Sequence, residues 1–390
     1  MKILHVADLH YGGGEDQLKW VDRAFEYAVN KAIEEECDLA VLAGDSFHSS
    51  LPLHHPAVLA FVSSVALLAE VMPVIVLQGT FSHDAPGSLD VLRELRSEYE
   101  IYVADSPSHL AVVDYGDDGL GLTDNLVDSA LLDVFMLPSL NRADRDVMDE
   151  GPAKYVERLC REWGDIERGS PSILITHGTV VGSVTESGYA MVSPDHEFTV
   201  ETLASAKTDV VMLGHIHKHQ HFHHGKTHIA YPGSIARLVY GQHDPTGFLI
   251  WDIDEKGATP TFHEAPSRSL LEIGFDGPPD IADLKKYALE VDGDVFVRIR
   301  YEIDEEHATS VDKALIRDIF SHAGGIKIVA TVGSIQEVRV EGISKQESMA
   351  EKFKAWAKMS DSEQYVDTGL DRIEMLETMD AVEIVEALTQ

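Results

Sequence analysis

The strongest constraint in this 390-residue sequence is a recurrence: short runs of Val, Ile and Leu, each cut off by a polar cluster. The runs are Ile3-Leu4-His5-Val6, Leu39-Ala40-Val41-Leu42, Val74-Ile75-Val76-Leu77, Ile173-Leu174-Ile175 and Val210-Val211-Met212-Leu213. Apolar runs this short, with no polar alternation, predict strands buried on both faces. Segments of helical period, Trp20 to Glu35 and Pro56 to Glu70, separate the first three runs, so the order is strand, helix, strand and the sheet is at least partly parallel. The clusters that follow the runs are Asp8-Leu9-His10, Gly44-Asp45-Ser46-Phe47-His48, Gly79-Thr80-Phe81-Ser82-His83-Asp84, His177-Gly178 and Gly214-His215-Ile216-His217. Parallel α/β proteins gather ligands at the carboxyl ends of their strands. A mixed carboxylate and imidazole set suits manganese, iron or zinc better than the all-oxygen shells of calcium and magnesium, and the lack of thiolates argues against a structural zinc. A single strand-end histidine is more often a hydrogen-bonded surface residue than a ligand. Five such clusters in one chain make a metal centre the expectation.

The rest of the chain reads more locally. Ser106 to Thr123 carries paired Asp and Gly turn signals around short β-prone pieces, and Val134-Phe135-Met136-Leu137 before Pro138 is a further strand. His219, His221, His223, His224 and His228 fall in an expected hairpin turning at Gly225; a further metal site is one reading, and a solvated strand pair is the simpler one. Gly247 to Ile253 predicts a strand, and Pro260 and Pro266 punctuate a boundary near Arg268. Beyond it come a strand from Leu270, a helix over Ile281 to Leu289, a strand over Val295 to Tyr301, a helix over Val311 to His322 and a strand over Ile326 to Val332, a small α+β domain. From about Ser344 the chain is helical: Met349, Phe353, Trp356 and Ala357 share a helix face, and Leu370, Ile373, Leu376 and Met379 continue an apolar stripe that Ile384, Val385 and Leu388 extend.

Composition sets limits. The start has one basic residue and an apolar run cut by Asp8, so neither a signal peptide nor a membrane span is expected, and no later run of apolar residues is long enough to span. Cys37 and Cys160, the only cysteines, form no CxxC pair and favour a reducing cytoplasm. The formal charge of −36 weighs against a nucleic-acid partner, because phosphate binding normally draws on Lys and Arg. Metal ions at a site can neutralise phosphate where side chains do not.

In this order, D-x-H, G-D, a glycine-led H-D, H-G and G-H-x-H resemble the calcineurin-like metallophosphoesterase superfamily. Gly44-Asp45-Ser46-Phe47-His48-Ser49-Ser50 and Tyr231-Pro232-Gly233-Ser234-Ile235-Ala236-Arg237 resemble its SbcD branch, the nuclease subunit of a double-strand-break repair complex. The motif resemblance covers about residues 1 to 255, and residues 270 to 340 share only the general look of that family's DNA-capping domain. It implies an α/β fold: a metallophosphoesterase β-sandwich flanked by helices over residues 1–267, a capping domain over 268–342 and a partner-binding helical tail over 343–390.

The resemblance also implies two divalent cations, taken as manganese. Asp8, His10, Asp45 and His217 would hold one, and Asp45, His177 and His215 the other, with Asp45 bridging ions about 4 Å apart. His83 would protonate the leaving oxygen or steady the phosphate, and Asp84 would orient its ring. His48 resembles a histidine that archaeal-type members use to position the strand, with a loop surface residue the alternative. Ser234 and Arg237 are candidate phosphate contacts, with a carboxylate pair the alternative for Arg237. One departure stands out: where the family has G-N-H-D, this chain has Gly79-Thr80-Phe81-Ser82-His83-Asp84, so Ser82 becomes the expected substitute for the ligand Asn, with Thr80 the next candidate. The expectation is a cytoplasmic DNA exonuclease and single-strand endonuclease that works with an SbcC-type ATPase, with a homodimer as an option and no membrane association. A small-substrate phosphatase or nucleotide phosphodiesterase of the same fold, and a DNA-tethering scaffold with weakened chemistry, are the alternatives.

Overall fold

Two sheets form the centre of the first 264 residues of the computed structural model, which describes every residue except 126, 128, 141–150, 186–196, 305–309, 334–347, 360–361, 380–383 and 385–390. The first sheet runs β15 (Gly257–Glu264), β14 (Gly247–Asp254), β1 (Lys2–Val6), β2 (Leu39–Leu42), β3 (Val74–Leu77) and β4 (Ile101–Ala104). Its strands β1 to β4 are parallel, and β14 and β15 close one edge in antiparallel register. The second runs β12 (Gln220–His224), β13 (Thr227–Tyr231), β11 (Val210–Gly214), β8 (Ser172–His177), β7 (Leu132–Leu137), β5 (Ser108–Asp114) and β6 (Leu120–Thr123). A parallel pair of two-residue strands, β9 (Thr179–Val180) and β10 (Glu197–Phe198), stands beside it.

The apolar runs are continuous because both faces of each strand are covered. On β1 and β2, Ile3, Leu39 and Val41 pack inward against Val134, Ile173, Ile175, Val210 and Met212 of the other sheet. The alternate residues Leu4, Val6, Ala40 and Leu42 pack outward against α1 (Glu15–Glu34) and α2 (Pro56–Ala69). On the second sheet Leu174, Val211 and Leu213 meet Val156, Cys160 and Trp163 of α3 (Pro152–Gly164) and Leu203 of α4 (Val200–Ala204). The result is the expected sandwich flanked by helices, and each fully buried Val, Leu or Ile in it contributes about 1.5–3 kcal/mol. His5 ties the layers together: its Nε2 donates to the Leu213 carbonyl at 3.1 Å, and its Nδ1 accepts from Trp251 Nε1 at 3.4 Å. Burial holds the ring neutral and lowers its pKa to about 3.

Helix α1 starts five residues ahead of the expected Trp20. Its first turn is polar and invisible to apolar periodicity, and Gly14, at φ 105°, lets the chain turn into it.

After β15, a three-stranded sheet runs β16 (Ser269–Asp276), β17 (Val295–Asp304) and β18 (Gly325–Gly333). Helix α5 (Ile281–Ala288) lies between the first two strands in sequence and α6 (Lys313–Ile319) between the last two. Helices α7 (Met349–Met359) and α8 (Val366–Thr378) follow. They pack closely enough that a side chain at Gly369 would strike the Phe353 ring, and Phe353 stacks on Trp356 at 5.7 Å. Val385 and Leu388 of the expected stripe lie outside the described residues. The chain divides into two compact units, one comprising Met1–Phe275, Pro279–Arg300 and Lys313–Val329, the other Asp276–Pro278, Tyr301–Asp312 and Ala330–Gln390. Among the described residues no helix is long and apolar enough to cross a membrane.

Candidate metal centre

Every ligand-grade cluster sits where a strand of the sandwich ends. Asp8 and Asp45 follow β1 and β2, His83 lies in the loop after β3, His177 ends β8, and His215 follows β11. The strand ends of the two sheets approach so closely that only glycine fits between them: a Cβ on Gly44 would strike the His177 ring, one on Gly79 would strike Asp45, and one on Gly214 would strike the Ala43 carbonyl. The backbone is bent at the same places. Among the described residues six non-glycines have positive φ, and four of them are Asp8 (52°), His10 (50°), Asp45 (54°) and His215 (103°). Each such residue costs on the order of 1–3 kcal/mol and persists only where its surroundings hold it. Here the Asp8 and His10 amides donate to the Gly44 and Asp45 carbonyls at 3.0 Å, and the His215 amide donates to both Asp8 carboxylate oxygens at 3.0 Å.

Asp45 stands between two groups of imidazoles. Its Oδ1 lies 3.3 Å from His177 Nε2, while its Oδ2 lies 3.9 Å from both His10 Nε2 and His83 Nε2. His10 and His217 face each other, Nε2 to Nε2, at 3.1 Å. Three sets, Asp8 with His10 and His217, Asp45 with His177 and His215, and His10 with Asp45 and His83, each place one ligand atom per residue within 4.8 Å of the others. Two buried carboxylates whose charge partners are histidines are costly to assemble without a cation to share. The donor set therefore fits divalent metal ions: oxygen and imidazole ligands, converging, buried and prearranged.

The electrostatics are strongly coupled. Burial pushes the Asp8 carboxyl up. Burial works the same way on Asp45, but His177, His10 and His83 outweigh it and hold its carboxyl below the usual range. Burial also disfavours a charged His177, yet the Asp45 carboxylate lifts that ring to about 9. His177 Nδ1 donates to the Ala43 carbonyl at 2.8 Å, which aims Nε2 at Asp45.

The expected site residues divide in this geometry. Asp8, His10, Asp45, His83, His177, His215 and His217 come together. His48 is exposed at the rim, its ring 6.0 Å from those of His10 and His83.

Three expectations need correction. Asp84 does not orient His83; it is fully buried and accepts the Ser46, Phe47 and Gly79 amides at 3.2, 3.1 and 3.0 Å. Burial and the charge of Asp45 push its carboxyl up to about 6. The His83 ring is held instead by the His48 carbonyl, 2.7 Å from its Nδ1. Ser82 does not take the family Asn position either. It is exposed, and Thr80, directly after Gly79, meets Asp45 Oδ1 through its amide at 2.7 Å and its hydroxyl at 2.8 Å. Counting forward from the glycine finds Thr80, whereas counting back from His83-Asp84 finds Ser82. Ser234 is fully buried, its hydroxyl accepting from Gln242 at 3.2 Å, so it braces a loop and is not placed to meet a substrate. Arg237 pairs with backbone, donating to the Arg268 carbonyl at 3.3 Å.

A helix-flanked β-sandwich with an oxygen and imidazole metal set at its strand ends defines a metal-dependent phosphoesterase. Residues 1–256 match the calcineurin-like phosphoesterase superfamily domain, and the chain belongs to that superfamily. It is similar to the DNA double-strand break repair protein Mre11 of Archaeoglobus fulgidus, 27% identical over 320 residues, which cover 75% of this chain and 65% of that protein. It is similar also to the protein of the same name from Aeropyrum pernix, 26% identical over 288 residues, covering 70% and 63% respectively. The chain thus spans slightly less than two thirds of these relatives' length. Among solved structures, GAP50, the anchor in the inner membrane complex of Plasmodium, superposes with a TM-score of 0.46 at 12% identity, covering 68% of this chain and 84% of that one.

Proposed function

We propose that this chain is a two-metal DNA nuclease, the SbcD-type subunit of a DNA repair complex. The observation that carries the reading is Asp45, whose two carboxylate oxygens face different imidazole sets, as a ligand shared by two cations must. The Mre11 relatives support DNA as the substrate class. Asp8, His10, Asp45 and His217 would hold one manganese ion, and Asp45, His177 and His215 the other. When bound, such a pair polarises a phosphoryl oxygen and lowers the pKa of water enough to supply a nucleophile at neutral pH.

The chain's own residues do the positioning. Thr80 clamps Asp45 Oδ1 through two hydrogen bonds, fixing the carboxylate plane. Asp84 gathers the amides of the loops after β2 and β3 onto one carboxylate, so Asp45 and His83 keep a set spacing. With His83 Nδ1 given to the His48 carbonyl, Nε2 is the nitrogen turned into the site. There, in the protonated ring, it can give a proton to the leaving oxygen or a hydrogen bond to the phosphate. His48 at the rim would contact the strand. Residues 268–342 would cap the DNA and residues 343–390 would dock on an SbcC-type ATPase.

The test is hydrolysis of end-labelled linear DNA with manganese, run beside a small phosphodiester such as bis(p-nitrophenyl) phosphate. Cleavage of DNA supports the reading. The formal charge of −36 favours a second reading, a phosphodiesterase for small substrates, and hydrolysis of the small ester with intact DNA would decide for it.

A further inference from the structure

We propose that the β12–β13 hairpin carries a separate cation site, built from His221, His223 and His228 and suited to zinc. The two strands are antiparallel with His223 directly opposite His228. His221 lies two residues before His223 on β12, so strand alternation brings it to the same face. The three rings converge: centroids are 4.3 Å apart for His221 and His223, 4.6 Å for His223 and His228, and 5.2 Å for His221 and His228. His221 Nε2 and His228 Nδ1 face each other at 3.2 Å, and one nitrogen from each of the three lies within 4.8 Å of the others.

The other histidines of the stretch stand apart. His219 gives Nδ1 to the Tyr231 carbonyl at 2.7 Å and stacks on Phe262, and His224 falls on the alternate position of β12, opposite Thr227. The site is therefore three imidazoles and not a histidine-rich smear. Its rings are also held: His221 and His228 stand edge-on to the buried Trp251 at 6.2 and 6.1 Å, so the nitrogens are oriented before any ligand arrives. His223 and His228 line an open groove of about 530 Å³, which leaves a path in and room for water at a fourth position.

Three converging imidazoles with an open fourth position are a zinc donor set. Calcium and magnesium, which want oxygen, are excluded. The hairpin begins three residues after His217, yet none of its three ligands belongs to the strand-end centre. The proposal therefore stands whether or not the nuclease reading does.

The test is equilibrium dialysis of the whole chain against zinc, followed by metal counting, for the wild type, His223→Ala and His228→Gln, with circular dichroism confirming the fold. The expected result is one zinc ion fewer per chain, or zinc affinity lower by at least about tenfold, in each variant, with manganese-supported phosphodiester hydrolysis unchanged. Exposed His223 keeps the test decisive if His228→Gln fails to fold. Equal zinc content and affinity in wild type and folded variants would overturn the site. Loss of zinc together with loss of hydrolysis would overturn it too, since the effect would then belong to the strand-end centre.

Discussion

His83 and Asp45 sit side by side but should fail differently when changed. His83 reaches the site from a loop and is partly exposed, whereas Asp45 is buried among the ligands. His83→Ala should therefore leave bound metal unchanged while lowering turnover by about 10²–10⁴-fold, the usual worth of a positioned acid or base. Metal counting beside kinetics checks this, and parallel loss of metal would make His83 a ligand. Thr80→Ala removes one of two hydrogen bonds to Asp45 Oδ1 and should cost less, roughly 1 kcal/mol of transition-state stabilisation, with Ser82→Ala close to neutral. A larger effect at Ser82 would restore it as the Asn substitute. His5 gives a pH signature outside the site. Its folded pKa of about 3 lies below the unfolded value of 6.5, so its contribution is complete above about pH 6.5 and is lost as pH falls from there towards 3. Thermal melts across that window should fall for the wild type and fall less for His5→Gln, which keeps a donor for the Leu213 carbonyl but does not titrate.

At the scale of elements, the strand-end glycines should be the least tolerant positions in the fold. Gly214→Ala drives a methyl into the Ala43 carbonyl, and since backbone cannot step aside, a loss of about 1–3 kcal/mol or more is expected, read by denaturant melts. Gly225→Ala, at a hairpin turn with nothing near the added methyl, pays only for its φ of 60° and should cost less. The same elements show what a sequence reveals. β2 and β3 fall at the expected residues because runs buried on both faces carry no polar break, and the hairpin turns at Gly225 as its composition implies. The start of α1 was hidden because a polar first turn carries no periodic signal. Asp84 was misread for a related reason: spacing puts a carboxylate next to His83 but cannot say that three backbone amides from two loops reach it first. Thr80 ranked behind Ser82 in the sequence because the two-residue insertion can be counted from either end.

At the scale of the whole molecule, the strand ends of both sheets were legible as one centre, because seven ligand-grade residues recur at the same place in the strand pattern. The role of the C-terminal helices was not, since an apolar face announces burial without naming what buries it. Met349 and Trp356 on α7 and Leu376 on α8 are exposed, as is Met379 just past the end of α8. Truncation after Gly342 should leave a folded, soluble enzyme that no longer co-purifies with an SbcC-type ATPase; aggregation or a much lower melting temperature would assign the tail to the protein's own core. The central claim, that two cations share Asp45, is tested most directly by manganese-dependent phosphodiester hydrolysis in Asp45→Asn. A neutral amide cannot bridge two cations well, so loss of activity by at least about 10³-fold in a folded chain is expected. Activity close to wild type would contradict the account.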